Sequence, residues 1–362
     1  MFAVVTSSVV LMSGCAYEAG TEATPSANLA AEGVGLAKPR ETHLRNVRQL
    51  TAGGENAEAY WAFDGSALVH QARKPGMDCD QIFMLDPHTA ETSRVSTGAG
   101  RATCSYFYPS GTQILYSSTH HHDASCPPNP DFSSGYVWPV YRTYDVFVAN
   151  IDGSNLRQLT TEDGYDAEAT FSPVGDRIVF TSARNGDLDL YSMNPDGSNI
   201  VQLTDRPGYD GGAFYSPDGS QIVWRADYPE DGPELDDYRN LLDQGLIRPA
   251  ELELWVMNAD GSSKRQVTHI GNANFAPFWH PDGDKILFSS NHNDPAGRDF
   301  DIYMINLDGT GLTRITYAEG FDGFPVFSPD GRYLVFGSNR NNGGTSDTNV
   351  FIAEWVEGSG QE

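Results

Sequence analysis

The chain has 362 residues, 39% of them hydrophobic, enough for a sizeable core in one large domain or two modest ones. Its formal net charge is −26, from 23 basic and 49 acidic residues. A surface of that sign repels phosphate backbones and anionic lipid heads, which excludes a nucleic-acid partner and leaves calcium, a cationic ligand or a basic partner open.

In chain order, the first feature is a mostly apolar run from Val4 to Met12, too short to span a bilayer as a helix. It ends in Leu11-Met12-Ser13-Gly14-Cys15, which resembles the lipobox of bacterial lipoproteins. That resemblance implies a signal peptide over residues 1–15, cleavage before Cys15 and acylation of Cys15. It places the protein in the cell envelope, held to a membrane by the lipid alone and facing the periplasm or the cell surface. Residues 16–45 are rich in Ala, Gly, Thr, Glu and Pro without apolar periodicity, and are expected to form a flexible tether.

From residue 46 to 356 three phrases recur. The first ends in Leu-Thr or its equivalent: Gln49-Leu50-Thr51, Arg94-Val95-Ser96-Thr97, then phrases closing at Thr160, Thr204, Thr268 and Thr316. The second is an aromatic followed by a turn, clearest in Phe327-Ser328-Pro329-Asp330-Gly331 and begun elsewhere by Trp61, Phe107, Phe171, Tyr215 and Trp279. The third is an apolar strand running into Asn-x-Asp-Gly-Ser/Thr, at Asn150, Asn194, Asn258 and Asn306. Asp-Gly between alternating apolar runs is a strong hairpin signal. Four antiparallel strands per unit, six times over, predict an all-β six-bladed propeller. The Thr landmarks at 51, 97, 160, 204, 268 and 316 are 46, 63, 44, 64 and 48 residues apart, so two units carry insertions. The last unit lacks its fourth strand, and Asn46 to Leu50 is expected to supply it, closing the ring and removing an exposed edge. Residues 357–362 are left as a disordered tail.

The Phe-Ser-Pro-Asp-Gly and Asn-x-Asp-Gly-Ser phrases resemble the TolB-like, WD-type propeller repeats of bacterial envelope proteins, from about Asn46 to Val356. The resemblance implies the propeller, and a role as scaffold, as lid on a serine peptidase or as body of a pectate-type lyase. TolB carries an α/β domain ahead of its propeller, whereas here only the short tether precedes it.

The strand 2–3 loops and blade connections should share one face, and they carry every long insertion: 73–80, 118–143, 226–251, 291–299 and 339–348. That face is expected to be the working face. Five residues before each aromatic landmark stand Asn56, Ala102, Asp166, Asp210, Asn274 and Asp322. The five Asx side chains either cap their own turns or converge on a cation such as calcium. Glu58 and Glu168, two residues further on, would extend an acidic mouth. The second unit's insertion holds His120, His121 and His122 with Cys126. Cys79, Cys104 and Cys126 should approach one another, and a disulfide between two of them is expected, the pair being open. Together with the histidines they form a candidate metal set. In the fourth unit's insertion, Leu235, Tyr238, Leu241 and Leu242 recur at helical spacing with Gly245 as a stop, predicting a short helix over the rim.

No Gly-x-Ser-x-Gly elbow and no catalytic constellation stand out. The expected role is a monomeric, non-enzymatic scaffold binding a protein, peptide or glycan in the envelope. The alternative is a metal-dependent polysaccharide lyase.

Overall fold

The computed structural model describes residues 35–357 apart from 134 and 295; Cys15, the signal segment and the tail from 358 onward lie outside the described residues. In the third repeat, strands Asp166–Phe171, Ile178–Ser182, Asp189–Met193 and Val201–Gln202 pair antiparallel in that order. Five further four-stranded sheets repeat the pattern, so the fold is an all-β propeller of six blades. Apolar side chains from facing sheets interleave between blades, and Ile178–Ser182 is buried along its whole length.

Each recurring phrase has a physical duty. Within Asn194 to Ser198, Asp196 Oδ1 accepts from Ser198 N at 2.9 Å, and Asn194 Nδ2 donates to Ser198 Oγ at 2.9 Å. Asn150, Asn258 and Asn306 do the same, so the phrase is a self-bonded Asx turn. Gly197 in that turn has φ +90°, and a Cβ on it would meet Leu159 O at 2.7 Å. The Leu-Thr phrase clasps the third strand. Thr51, Ser96, Thr160, Thr204, Thr268 and Thr316 each accept a third-strand backbone N–H at 2.8–2.9 Å. The same hydroxyls donate to Asn349, Gln81, Asp145, Asp189, Glu253 and Asp301. In the first blade the clasp is Ser96 rather than the expected landmark Thr97, which is exposed.

The ring closes at two levels. Leu44–Gln49 pairs antiparallel with Asn349–Trp355 as the outer strand of the last blade. On the opposite side of the sheet, the strand 1–2 turns form a circle. The turn glycine of each blade backs on the preceding turn: Gly111 on Asp64, Gly175 on Pro109, Gly219 on Val174, Gly283 on Pro217, Gly331 on Pro281, and Gly65 on Pro329 of the last blade.

Ordered packing starts earlier than the expected tether boundary at residue 45. Leu36 and Ala37 pack on the last blade's core, and Glu41 is buried. Glu41 pairs with Arg340 at 2.9 Å, and Arg340 also meets Asp322 at 2.8 Å. One glutamate among several in a segment without apolar periodicity is not singled out, so its buried ion pair left no mark on the pattern. We expect Arg340→Leu, which strands two buried carboxylates, to lower unfolding free energy by about 3–5 kcal/mol. Urea denaturation should show it, and adding Glu41→Gln with Asp322→Asn should recover part of the loss.

Candidate binding site in the channel

Every inner strand breaks register with its neighbour at the same point, between Ala57 and Tyr60 in the first blade and Ala167 and Thr170 in the third. The other four blades share the break. One residue at each bulge takes a left-handed backbone: Glu58, Cys104, Glu168, Gly212, Ala276 and Phe324, with φ between 50° and 58°. For a side-chain-bearing residue this conformation costs on the order of 1–3 kcal/mol, and such strain gathers at functional sites. All six line the channel. Each stands three residues before an aromatic landmark, so the axial ring sits two positions after the Asx ring expected from sequence.

The Asx positions serve the fold. Asn56 Nδ2 donates to Gly53 O at 3.0 Å and Asn349 Oδ1 at 3.2 Å, and Asn274 Nδ2 donates to Leu252 O at 2.9 Å. Asp166 pairs with Arg184 at 3.1 Å, and Asp322 with Arg340. Asp210 Oδ1 accepts from Trp224 Nε1 at 2.6 Å and Tyr228 OH at 2.5 Å. These contacts lie inside and between blades, although Oδ2 of Asp210 and Oδ1 of Asp322 are buried without a partner, and only Glu58 and Glu168 of the expected set line the channel.

Those two carboxylates are unequal. Glu168 accepts from Thr181 Oγ1 at 2.8 Å and Gly212 N at 3.0 Å, and forms an ion pair with Arg225. Arg225 occupies the room left by the absent side chain of Gly212; a Cβ there would sit 2.3 Å from Nη1. Its guanidinium lies 5.1 Å from the Trp138 ring, and its Nη2 donates to Tyr209 OH at 2.7 Å. Burial pushes the Glu58 carboxyl up to about 7, against the pull of Arg225, with Glu168 adding to the rise. Burial likewise pushes the Cys104 thiol well up, and Glu58 adds to it. The chamber they enclose is about 30 Å³, room for about one water.

The insertions roof this chamber. Trp138–Pro139 from the second blade pairs with Leu246–Ile247 from the fourth, forming a two-stranded lid across the channel. Trp138 meets Tyr209 and Phe275 edge-on, at 6.5 and 6.1 Å. The predicted helix is present over Pro233–Asp243, with Leu235 and Tyr238 buried. Tyr238 OH donates to Gly208 O at 2.6 Å. A disulfide joins Cys79 to Cys126, tying the second insertion to the first blade; Cys104 is free and belongs to the axial ring. The long insertions therefore gather on one face, and their apolar side chains turn inward.

The three histidines lie at the root of the second insertion. His120 Nδ1 is 2.8 Å from Ser118 Oγ, and the His120 and His121 rings lie 4.4 and 6.4 Å from Phe147. Among the described residues, the one group of imidazole, thiol and carboxylate ligands close enough to share an ion is His280, Asp282 and Glu357. There the carboxylates of Asp282 and Glu357 each lie 3.3 Å from a nitrogen of the His280 ring, on the turn face and away from the chamber.

Below the chamber the channel is plugged by aromatic rings. Tyr60 lies 5.4 Å from Tyr106 and 5.5 Å from Phe214, which lies 5.4 Å from Phe278. Beyond the plug, on the face of tight turns, the channel widens into a mouth of about 200 Å³. Trp61, Phe63, Tyr106, Phe278, Trp279 and Phe327 line it, with Pro173, Pro217, Pro281 and Pro329 at its lip. These are the residues of the aromatic-turn phrase, which the sequence showed as fold signal without showing that it builds a concave apolar surface.

Fold and channel together define a closed hairpin-repeat propeller, its channel roofed by insertions on one face and widening on the other. A family model described as the TolB beta-propeller domain matches residues 141–231 and 248–358, and the chain belongs to that family. It is similar in structure to a putative TolB from Agrobacterium tumefaciens, at 19% identity over 84% of this chain and 91% of that one, with TM-score 0.56. TolB from Acinetobacter baumannii aligns at 16% identity, over 84% of this chain and 64% of that one, with TM-score 0.54. An oligogalacturonate lyase from Vibrio parahaemolyticus aligns at 12% identity, over 88% and 95%, with TM-score 0.54. At such identities the likeness is one of fold. Among curated proteins there is no significant match.

Burial also pushes Asp189, Asp210, Asp227 and Asp301 up to about 7 and Asp145 to about 6. Each holds its proton to higher pH folded than unfolded. Their contribution is complete below the ordinary carboxyl range and lost as pH rises through about 7. We expect the melting temperature to fall between pH 5.5 and pH 8. Asp210→Asn should flatten that fall, because Oδ2 of Asp210 has no partner, while Asn274 in the equivalent place donates to Glu253 at 3.2 Å.

Proposed function

We propose that this protein is a non-enzymatic interaction propeller of the cell envelope that holds a protein or peptide partner at its turn-face mouth. The observation that carries the reading is the open mouth itself. A concave apolar surface ringed by aromatics and prolines marks an interaction site when solvent reaches it. The insertion face, where sequence reasoning placed the working surface, has its channel entrance roofed by Trp138, with Leu235, Tyr238 and Ile247 turned into the lid. The envelope location and the lipid anchor rest on the segment ending at Cys15. Among the described residues, no helix is long and apolar enough to cross a membrane.

Two experiments test this reading. A photo-crosslinking residue at Pro329, on the lip, should yield a partner adduct in envelope extracts, whereas one at Asn342, in an exposed loop of the other face, should not. Adducts at 342 alone would move the partner to the insertion face. Cys15→Ser should shift the protein from the membrane fraction to the soluble fraction, and an unchanged distribution would remove the anchor.

A further inference from the structure

The turn face is not uniform around its axis. Four of the six strand 1–2 turns carry aspartate at the tip: Asp64, Asp218, Asp282 and Asp330. The second and third blades carry Ser110 and Val174 there instead. Val174 is 63% exposed, the most of any large apolar residue described. The neighbouring strand 3–4 segments of the same two blades expose Ile151, Leu156, Ile200 and Val201. Among the described residues, Leu312 alone of the exposed large hydrophobics lies on another blade. Tyr108 OH donates to Pro195 O at 3.0 Å, which joins the two kinds of turn across these blades into one surface. An apolar strip thus leads from the mouth outward over blades two and three.

Acidic residues surround the strip and enter it. Asp284 stands beside the tip of the fifth blade and Asp176 beside Val174, and the strand 3–4 turns of blades two and three carry Asp152 and Asp196. Hydrogen bonds from Ser66, from Ser216 and Ser220, and from Ser328 hold the carboxyls of Asp64, Asp218 and Asp330 below the usual range, so they stay ionised. Two cations offset part of this charge: Lys285 pairs with Asp284 at 3.0 Å, and Arg332 with Asp330 at 2.6 Å. Asp64 and Asp218 have no cation beside them in any ion pair among the described residues, and they lie on blades one and four, flanking the apolar strip.

From this charge complementarity we infer that the mouth docks an extended, lysine- or arginine-bearing segment of a partner protein. One large apolar side chain enters the mouth, its apolar flank lies over blades two and three, and its cations face Asp64 and Asp218. The inference rests on the reading of the mouth as the docking site and adds the chemistry of the occupant.

The test uses ten-residue synthetic peptides titrated into the whole protein by fluorescence anisotropy. One has a central Trp flanked by Lys, one the same Trp flanked by Glu, one the Trp flanked by Ser, and one Lys flanks without Trp. The Lys–Trp peptide is expected to bind at least about tenfold tighter than the Glu–Trp peptide, and to weaken between 50 and 300 mM salt. Asp64→Asn with Asp218→Asn keeps the turn-capping oxygens and should erase most of that difference. Val174→Ser, copying the second blade, should weaken the Lys–Trp peptide several-fold without changing the melting temperature. Equal binding of all three Trp peptides overturns the charge complementarity and leaves the mouth standing as a docking site. Binding of the Lys peptide without Trp as tightly as with it overturns the inference in favour of bare surface charge. Failure of every Trp peptide to bind overturns both readings.

Discussion

Everything at the axis depends on ring closure. Six sheets radiating from a channel hold their inner strands in place only if the first and last blades meet. Here that junction is made from the two ends of the described chain, Leu44–Gln49 laid on Asn349–Trp355. Leu50 N also donates to Val350 O at 2.8 Å, and Asn56 N to Thr348 O at 2.9 Å. The circle of turns repeats the closure on the other face, where Gly65 backs on Pro329. A ring closed at both levels gives the last blade the fourth strand that every other blade has, and it fixes the distance across the channel at which axial side chains must meet.

Within that frame, the backbone repeats and the side chains do not. The same left-handed bulge recurs six times, yet it presents two carboxylates and a thiol on blades one to three, and nothing, a methyl and a phenyl ring on blades four to six. Arg225 compensates for the empty position by reaching through Gly212 to Glu168. One cation is shared between two acids, and Glu58, left without its own, holds its proton to near neutral pH. The asymmetry is chemical, not architectural, and the strain at each bulge is carried by pairing on both flanks.

How far this was legible from sequence follows from what each signal encodes. Blade number, strand order, the closing strand and the short helix are local or periodic matters, written in Asp-Gly turns and in Leu-Thr phrases that clasp the next strand. The gathering of insertions on one face followed from strand alternation alone. The axial ring was half visible: Glu58 and Glu168 were singled out, but a bulge shifts the facing by a residue, so the count from the aromatic selected the Asx positions as well. Cys104 was seen as a disulfide or metal-ligand candidate and not as an axial residue, and no spacing rule separates it from Cys79 and Cys126. The pairing of Trp138–Pro139 with Leu246–Ile247 joins segments more than a hundred residues apart with no shared motif. Glu41 was invisible for a similar reason, its partner Arg340 lying at the far end of the chain.

A repeat protein concentrates information where it departs from itself. Positions that hold the ring together, such as the clasping hydroxyls and the turn glycines, are bound to recur because each blade faces the same packing problem. Departures are therefore free to carry chemistry. Gly212 and Arg225 depart together and reshape the chamber. Ser110 and Val174 depart together and leave two turn tips without the aspartate that the other four carry. The insertions depart in length and close one entrance. All three lie on the axis or beside it, where six blades converge and a side chain from any one of them reaches a shared space. A surface change on an outer strand would alter one blade's edge, whereas a change here alters a site to which every blade contributes.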